Sequence, residues 1–206
     1  MAKTLGCLAI LALVLVGLGI YLAGQYNALV TVDQEVEAQW AQVENAYQRR
    51  ADLVPNLVST VRGAAEFEQE TLQNVIEARS RVGQVSAEAS AEIVNDPARF
   101  AAFQQAQDAL SSALSRLLVV VERYPELRAV APFQDLMVQL EGTENRIAVE
   151  RRRFNEVARG FNTRLKRVPT AWFVRLLGWD FQEKVYFAAQ PGAEQAPEVD
   201  FDFGDD

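Results

Sequence analysis

Residues 46–63 read AYQRRADLVPNLVSTVRG: two arginines, an aspartate and a proline inside an apolar helical pattern, which could make a catalytic cluster, a binding tip or a turn between two helices. Asp52 followed by Pro55 is the pattern of a helix start: an N-cap acceptor, then proline in the first turn, where its missing N–H costs nothing. Arg49 and Arg50 just before it suit the C-terminus of a preceding helix, where cations offset the macrodipole. The local signals therefore predict a turn over residues 49–56.

Apolar stripes on either side argue for amphipathic helices that bury one face. Leu29, Val32, Val36, Trp40, Val43 and Tyr47 make the first stripe. Val54, Leu57, Val61, Ala65, Leu72, Val75 and Val82 make the second. Phe100, Phe103, Leu110, Leu114, Leu117 and Val121 make a third, apolar almost all round near Leu118, which points to a central helix. A fourth runs through Phe133, Leu136, Leu140, Ile147, Phe154, Ala158, Phe161 and Leu165. The small polar run 83–90, the cap Asn95-Asp96-Pro97 and the pair of prolines at 125 and 132 separate them. The prediction is an all-α protein. An N-terminal transmembrane helix leads into an antiparallel up-down four-helix bundle with long helices of roughly 25–35 residues each, about 40–50 Å. A short irregular C-terminal tail closes the chain.

The 19 residues 5–23, LGCLAILALVLVGLGIYLA, contain no charge. About 20 such residues span the hydrocarbon core, so the lipid bilayer is the expected partner of this segment. Lys3 precedes it, and Asp33, Glu35 and Glu37 follow without a nearby base. The positive-inside rule then places the N-terminus in the cytoplasm of a bacterial cell (inner) membrane and the body outside it. The rival is a cleaved signal peptide, which would release a secreted bundle, although the run exceeds the usual h-region. The chain divides into an anchor over 1–24, a bundle with a C-terminal clasp over 25–187 and an acidic, weakly ordered tail over 188–206.

Composition narrows the chemistry. A net charge of −8 opposes nucleic-acid binding, which needs a basic footprint. The chain has one cysteine, Cys7, and no histidine. That removes an internal disulfide, Ser-His-Asp and Cys-His catalysis, and His-ligated metals. No catalytic residue, cofactor, metal or small-molecule substrate is expected. A carboxylate-based enzyme is the remaining alternative; it would need acids converging in the bundle without arginine partners. Glu144 falls near the core register, with Arg151 as a potential partner.

Two candidate surfaces follow from the predicted topology. The turns 49–56 and 122–128 would share the end distal to the membrane, giving a partner-binding tip of Arg49, Arg50, Asp52, Asn56, Glu122 and Arg128. The alternative there is simple pairing of Arg49, Arg50 and Asp52 with Glu122, Glu126 or helix ends. Eight residues of 146–167 are basic, and the last three lead into AWFVRLLGW. Glu144, Glu150 and Glu156 balance the earlier ones as intrahelical pairs. Arg164, Lys166, Arg167, Trp172, Phe173 and Trp179 form a candidate membrane interface; packing of 171–187 on the bundle is the other reading. FQEKVYF, with Phe181, Tyr186 and Phe187, could be pinned across the helices as extended chain.

Several long runs resemble the LemA family. They are YNALV at 26–30, QRRADLVPNLVSTVRG at 48–63, IEARS at 76–80, LSRLLVVVERYPELRA at 114–129, FQDLMVQLEGTENRIAVERRRFNEV at 133–157 and the closing YF…PEVDF. The family usually has tyrosine at the positions of Phe154 and Phe161, and phenylalanine-proline near Val168-Pro169. The resemblance implies a single-pass bacterial membrane protein with a helical extracytoplasmic domain and no enzymatic activity. Members are associated with envelope stress, membrane proteases and, in one group, organelle membranes. The expected function is thus a membrane-anchored interaction scaffold that engages a protein partner or a second copy of itself. An accessory factor or adaptor of a membrane protease or envelope-stress system is the alternative.

Overall fold

The computed structural model describes residues 2–62, 68–88 and 91–188. Among these the chain is helical, without strands: α1 (Ala2–Arg62), α2 (Gln69–Glu88), a 3-10 turn (Ala91–Asn95), α3 (Pro97–Val121), α4 (Pro125–Arg128), α5 (Ala131–Lys166) and α6 (Thr170–Leu177). A non-helical strap over 179–188 follows, and most of the acidic tail lies outside the described residues.

The turn expected at 49–56 does not exist. Helix α1 is 61 residues long, about 90 Å at 1.5 Å per residue, and passes through Pro55. A proline inside a helix withdraws the N–H owed to the carbonyl four residues earlier. Here that carbonyl, on Ala51, accepts a hydrogen bond from Arg79 Nε of α2 at 2.9 Å. Asp52 does not cap; it accepts from Gln48 Nε2 one turn back, at 2.8 Å. Leu29, Val36, Val43, Arg50 and Leu57, seven residues apart, are all buried. The buried stripe crosses Pro55 in phase, so tertiary burial holds together a helix that local propensity would divide.

Helix α1 pairs most extensively with α5, and α2 with α3. Arg164 of α5 lies against Ala28 and Glu144 against Arg50, so α1 and α5 run in opposite directions. The core has two clusters. The distal one is aliphatic, around Val54, Leu57, Val61, Val75, Leu110 and Leu117. The proximal one is aromatic, around Trp40, Phe100, Phe103, Phe154, Phe161 and Phe187.

Helix α2 has 20 residues, shorter than expected, yet it extends to Glu88 through the predicted polar loop. The 3-10 turn after it buries Ile93 and Val94. Helix α3 starts as expected: Asp96 accepts the N–H groups of Ala98 and Arg99 at 2.9 and 3.2 Å, with Pro97 in the first turn. It is not a central helix, because Leu117 is buried while Val119 is 64% exposed. Pro132 opens α5, and Gly178, at φ 67, ends α6 in the left-handed conformation that glycine adopts without strain.

Candidate functional site

Arg50, expected at an exposed tip, is the centre of a polar layer between the two clusters. Its Nη1 donates to Ser111 Oγ and to Glu144 Oε1, the latter at 2.9 Å. Its Nη2 donates to the Gln107 carbonyl at 3.0 Å and to the Gln107 side-chain oxygen. The guanidinium also stands 5.1 Å from the Tyr47 ring centre. Burial raises the Tyr47 pKa, against the opposing pull of Arg151 and Arg50, so the phenol stays protonated at neutral pH. The partner of Arg50 is Glu144 rather than Glu122 or Glu126. Arg151, the partner expected for Glu144, instead covers the Phe187 ring at 4.6 Å.

The six predicted tip residues are therefore not brought together. Arg49, Asp52 and Asn56 are exposed along the flank of α1, and Asn56 lies about 9 Å short of Arg62 along the helix. Glu122 and Arg128 do sit at the distal end, where Arg123 bridges to Glu68 at 2.8 Å.

Two buried charges were not singled out from the sequence. Glu150, 3% exposed, accepts from Gln39 Nε2 at 2.8 Å and pairs with Arg153 at 3.3 Å. Arg146 and Arg153, four and three residues away, supply the intrahelical pairs expected of it, but the carboxylate itself lies inside rather than at the surface. Lys184 of the strap pairs with Asp33 of α1 at 2.6 Å, donates to Asn95 Oδ1 at 2.9 Å and stands 4.8 Å from the Phe161 ring centre. Asn162 binds both the N–H and the carbonyl of Lys184, and Asn155 those of Phe187. Val185 N–H completes the seam on the Val94 carbonyl at 2.8 Å. The strap is thus the clasp expected of FQEKVYF, with its backbone groups taken up by asparagine side chains.

The membrane-proximal candidates divide. Arg164 donates to the Ala28 carbonyl at 3.2 Å and Lys166 pairs with Glu183 at 2.8 Å, so Lys166 has an acidic partner and Arg164 a backbone one. Arg167 is exposed. Phe173 meets Tyr21 edge-on at 6.2 Å and Trp179 meets Tyr26 at 5.2 Å, which docks α6 beside the end of the apolar segment. Trp172 and Leu176 remain 64% and 81% exposed.

Helix α1 carries the one stretch among the described residues long and apolar enough to cross a membrane, and no part of that stretch is buried. With the helical body attached to it, this defines the class: a membrane-associated, all-helical protein. The chain belongs to the LemA family, whose model matches residues 39–201. It is similar to magnetosome protein MamQ of Magnetospirillum gryphiswaldense, at 27% identity over 91% of this chain and 73% of the relative. It is also similar to magnetosome protein MamQ 2 of Paramagnetospirillum magneticum, at 26% over 82% of this chain and 67% of the relative. A third relative is protein LemA of Metamycoplasma hominis, at 20% over 69% of this chain and 60% of the relative. None of these names is that of an enzyme.

Proposed function

We propose that the chain is a non-enzymatic, membrane-anchored interaction protein of the bacterial cell envelope. In this reading the outer part of α1 forms an up-down four-helix bundle with α2, α3 and α5. The N-terminus is cytoplasmic and the body is outside the cytoplasm. The observation that carries the proposal is the continuity of α1 from its apolar segment to Arg62. A continuous helix holds the distal end at a fixed height, about 57 Å beyond Gly24. The inward-facing carboxylates support a non-catalytic reading, since half-exposed Glu144 and buried Glu150 both carry guanidinium partners rather than standing free as a general base would. The partner surface is the distal end, where Glu122 and Arg128 are exposed beside the uncovered side chains of Val119 and Val130.

Photoreactive residues at Arg128 and at Arg49, crosslinked in native membranes, test this. A single discrete adduct from Arg128, with none from Arg49, is the expected result. Equal labelling from both positions, or none from Arg128, would remove the distal surface from the proposal. A reporter active only outside the cytoplasm, fused after Asp206, checks the orientation and should be active.

A further inference from the structure

The bilayer boundary can be located along α1. Residue 14 is the midpoint of the charge-free run 5–23. Half of a ~30 Å hydrocarbon core is about ten residues of helix, so the boundary falls near residue 24. The contacts of α6 and its flank fall at that level. Phe173 packs on Tyr21, Thr170 Oγ1 donates to Gln25 Oε1 at 3.4 Å, and Trp179 packs on Tyr26.

At this height α6 turns one apolar face away from the protein. Trp172 and Leu176, one helical turn apart, are 64% and 81% exposed. The apolar side chains of α1 just below them, Leu18 and Ile20, are uncovered as well, at 46% and 70%. The exposed face of α6 is therefore adjacent to the surface that the bilayer covers on α1. Arg167 and Arg175 are exposed at its flanks, in a chain whose net charge is −8. Trp at the headgroup level beside basic residues is the composition that anionic bilayer surfaces select.

We propose that α6 is a second, in-plane membrane contact. Trp172 and Leu176 enter the headgroup–acyl boundary while Arg167 and Arg175 meet lipid phosphates. The proposal rests on α1 spanning the bilayer. Its consequence is rotational: a single helix is free to spin about its axis in lipid, whereas two contacts fix which side of the body faces the membrane plane.

The full chain, reconstituted into vesicles of mixed phosphatidylcholine and phosphatidylglycerol, provides the test. Some of the lipids carry bromine on the upper acyl carbons, and the Trp172→Phe variant is compared with the protein that keeps Trp172. Trp40 is buried and contributes little to quenching, and Trp179, at the same level beside Tyr26, is replaced by Phe in both proteins so that Trp172 is the tryptophan compared. The expected result is that bromolipid quenches the protein that keeps Trp172 and that Trp172→Phe loses most of that quenching, with acrylamide in the water leaving the same component largely untouched. Equal bromolipid quenching of both proteins, or ready access of acrylamide to Trp172, would overturn the proposal. So would protection that vanishes on dilution to one chain per vesicle, which would make the occupant a second copy. Arg167→Glu with Arg175→Glu should reduce quenching in anionic vesicles and leave it unchanged in neutral ones. Equal behaviour in both lipids would refute the phosphate contact. Flotation separates the two readings: a chain that does not float with vesicles contradicts the anchor and α6 together, and one that floats without Trp172 quenching contradicts α6 alone.

Discussion

Two arginine-bearing stretches, 46–62 on α1 and 164–179 around α6, mix basic and apolar residues in similar proportion and meet opposite fates. In the first, Arg50 is drawn into the interior, 1% exposed. In the second, Arg167 and Arg175 stay outside and apolar Leu176 stays with them. Residue type does not separate the two; phase and the supply of acceptors do. Arg50 stands seven residues from both Val43 and Leu57, and Gln107 seven from both Phe100 and Leu114, all of them buried. Two core stripes thus each place one polar residue in the same layer, and α5 adds Glu144. A buried guanidinium is tolerated only where such partners surround it. Helix α6, with eight residues and α1 on one side, offers no comparable enclosure.

The contrast is broken most directly at Arg50. Arg50→Ala should destabilise the domain by about 3–5 kcal/mol, because Gln107 and Ser111 lose their partner inside the core. Arg50→Met fills the same space but leaves the same acceptors without a donor, so it should recover only the cavity part of that loss. Truncation of exposed Arg167 should change stability by about 0.5 kcal/mol or less. Thermal unfolding of the full chain in detergent, followed by circular dichroism, ranks the three. Equal losses for Arg50→Ala and Arg167→Ala would erase the distinction.

An effect of about 1–3 kcal/mol is expected from Arg79→Ala, the cost of leaving the Ala51 carbonyl without a donor in a part-buried site. Pro55→Ala in the same chain restores an N–H four residues on and should recover most of the loss. If the double variant is no more stable than Arg79→Ala, the guanidinium does not compensate for the proline.

The smallest effect sharpens the boundary case, a half-buried acid on the edge of the α1 stripe. Burial raises the Glu44 pKa above its ordinary 4.5, and the nearby Trp40 N–H, short of a well-formed hydrogen bond, offsets this only in part. A carboxyl that holds its proton more tightly when folded favours the folded state at low pH and loses that advantage as pH rises. Glu44→Gln should therefore stabilise at pH 7, by about 0.5 kcal/mol or less at so solvated a site. The gain should vanish below pH 4.5, and melting curves at the two pH values check it. A gain that persists in acid would assign the effect to packing.

Much of the fold was legible because its signals are local. Asp96-Pro97 caps α3, Pro132 opens α5, the apolar run forms the uncovered first part of α1, and the aromatic FQEKVYF docks as a strap. Pro55 misled for the opposite reason. Asp52 and Pro55 are a sound local argument for a helix start, and the residue that overrules them, Arg79, arrives from another helix. The seven-residue phase joining Val43, Arg50 and Leu57 was the signal that could have identified both the unbroken helix and the buried charge. Lys184 offered no such signal, since its partner Asp33 lies at the far end of the domain's sequence. Of the membrane-interface candidates, Phe173 and Trp179 lie beside Tyr21 and Tyr26 at the end of the apolar run, while Arg164 and Lys166 meet Ala28 and Glu183, contacts between elements that their spacing along the chain does not reveal.

The unbroken α1 also makes the body a lever. In the proposed anchoring, where its lower arm spans the bilayer, a tilt typical of membrane helices, about 20°, displaces the distal end sideways by roughly 20 Å over a ~57 Å arm. Tilt in turn follows hydrocarbon thickness, because a fixed apolar length must match it. A difference of a few ångströms between thick and thin membrane would then appear at Arg62 as a much larger lateral shift. The chain would report on bilayer thickness at a distance from the lipid.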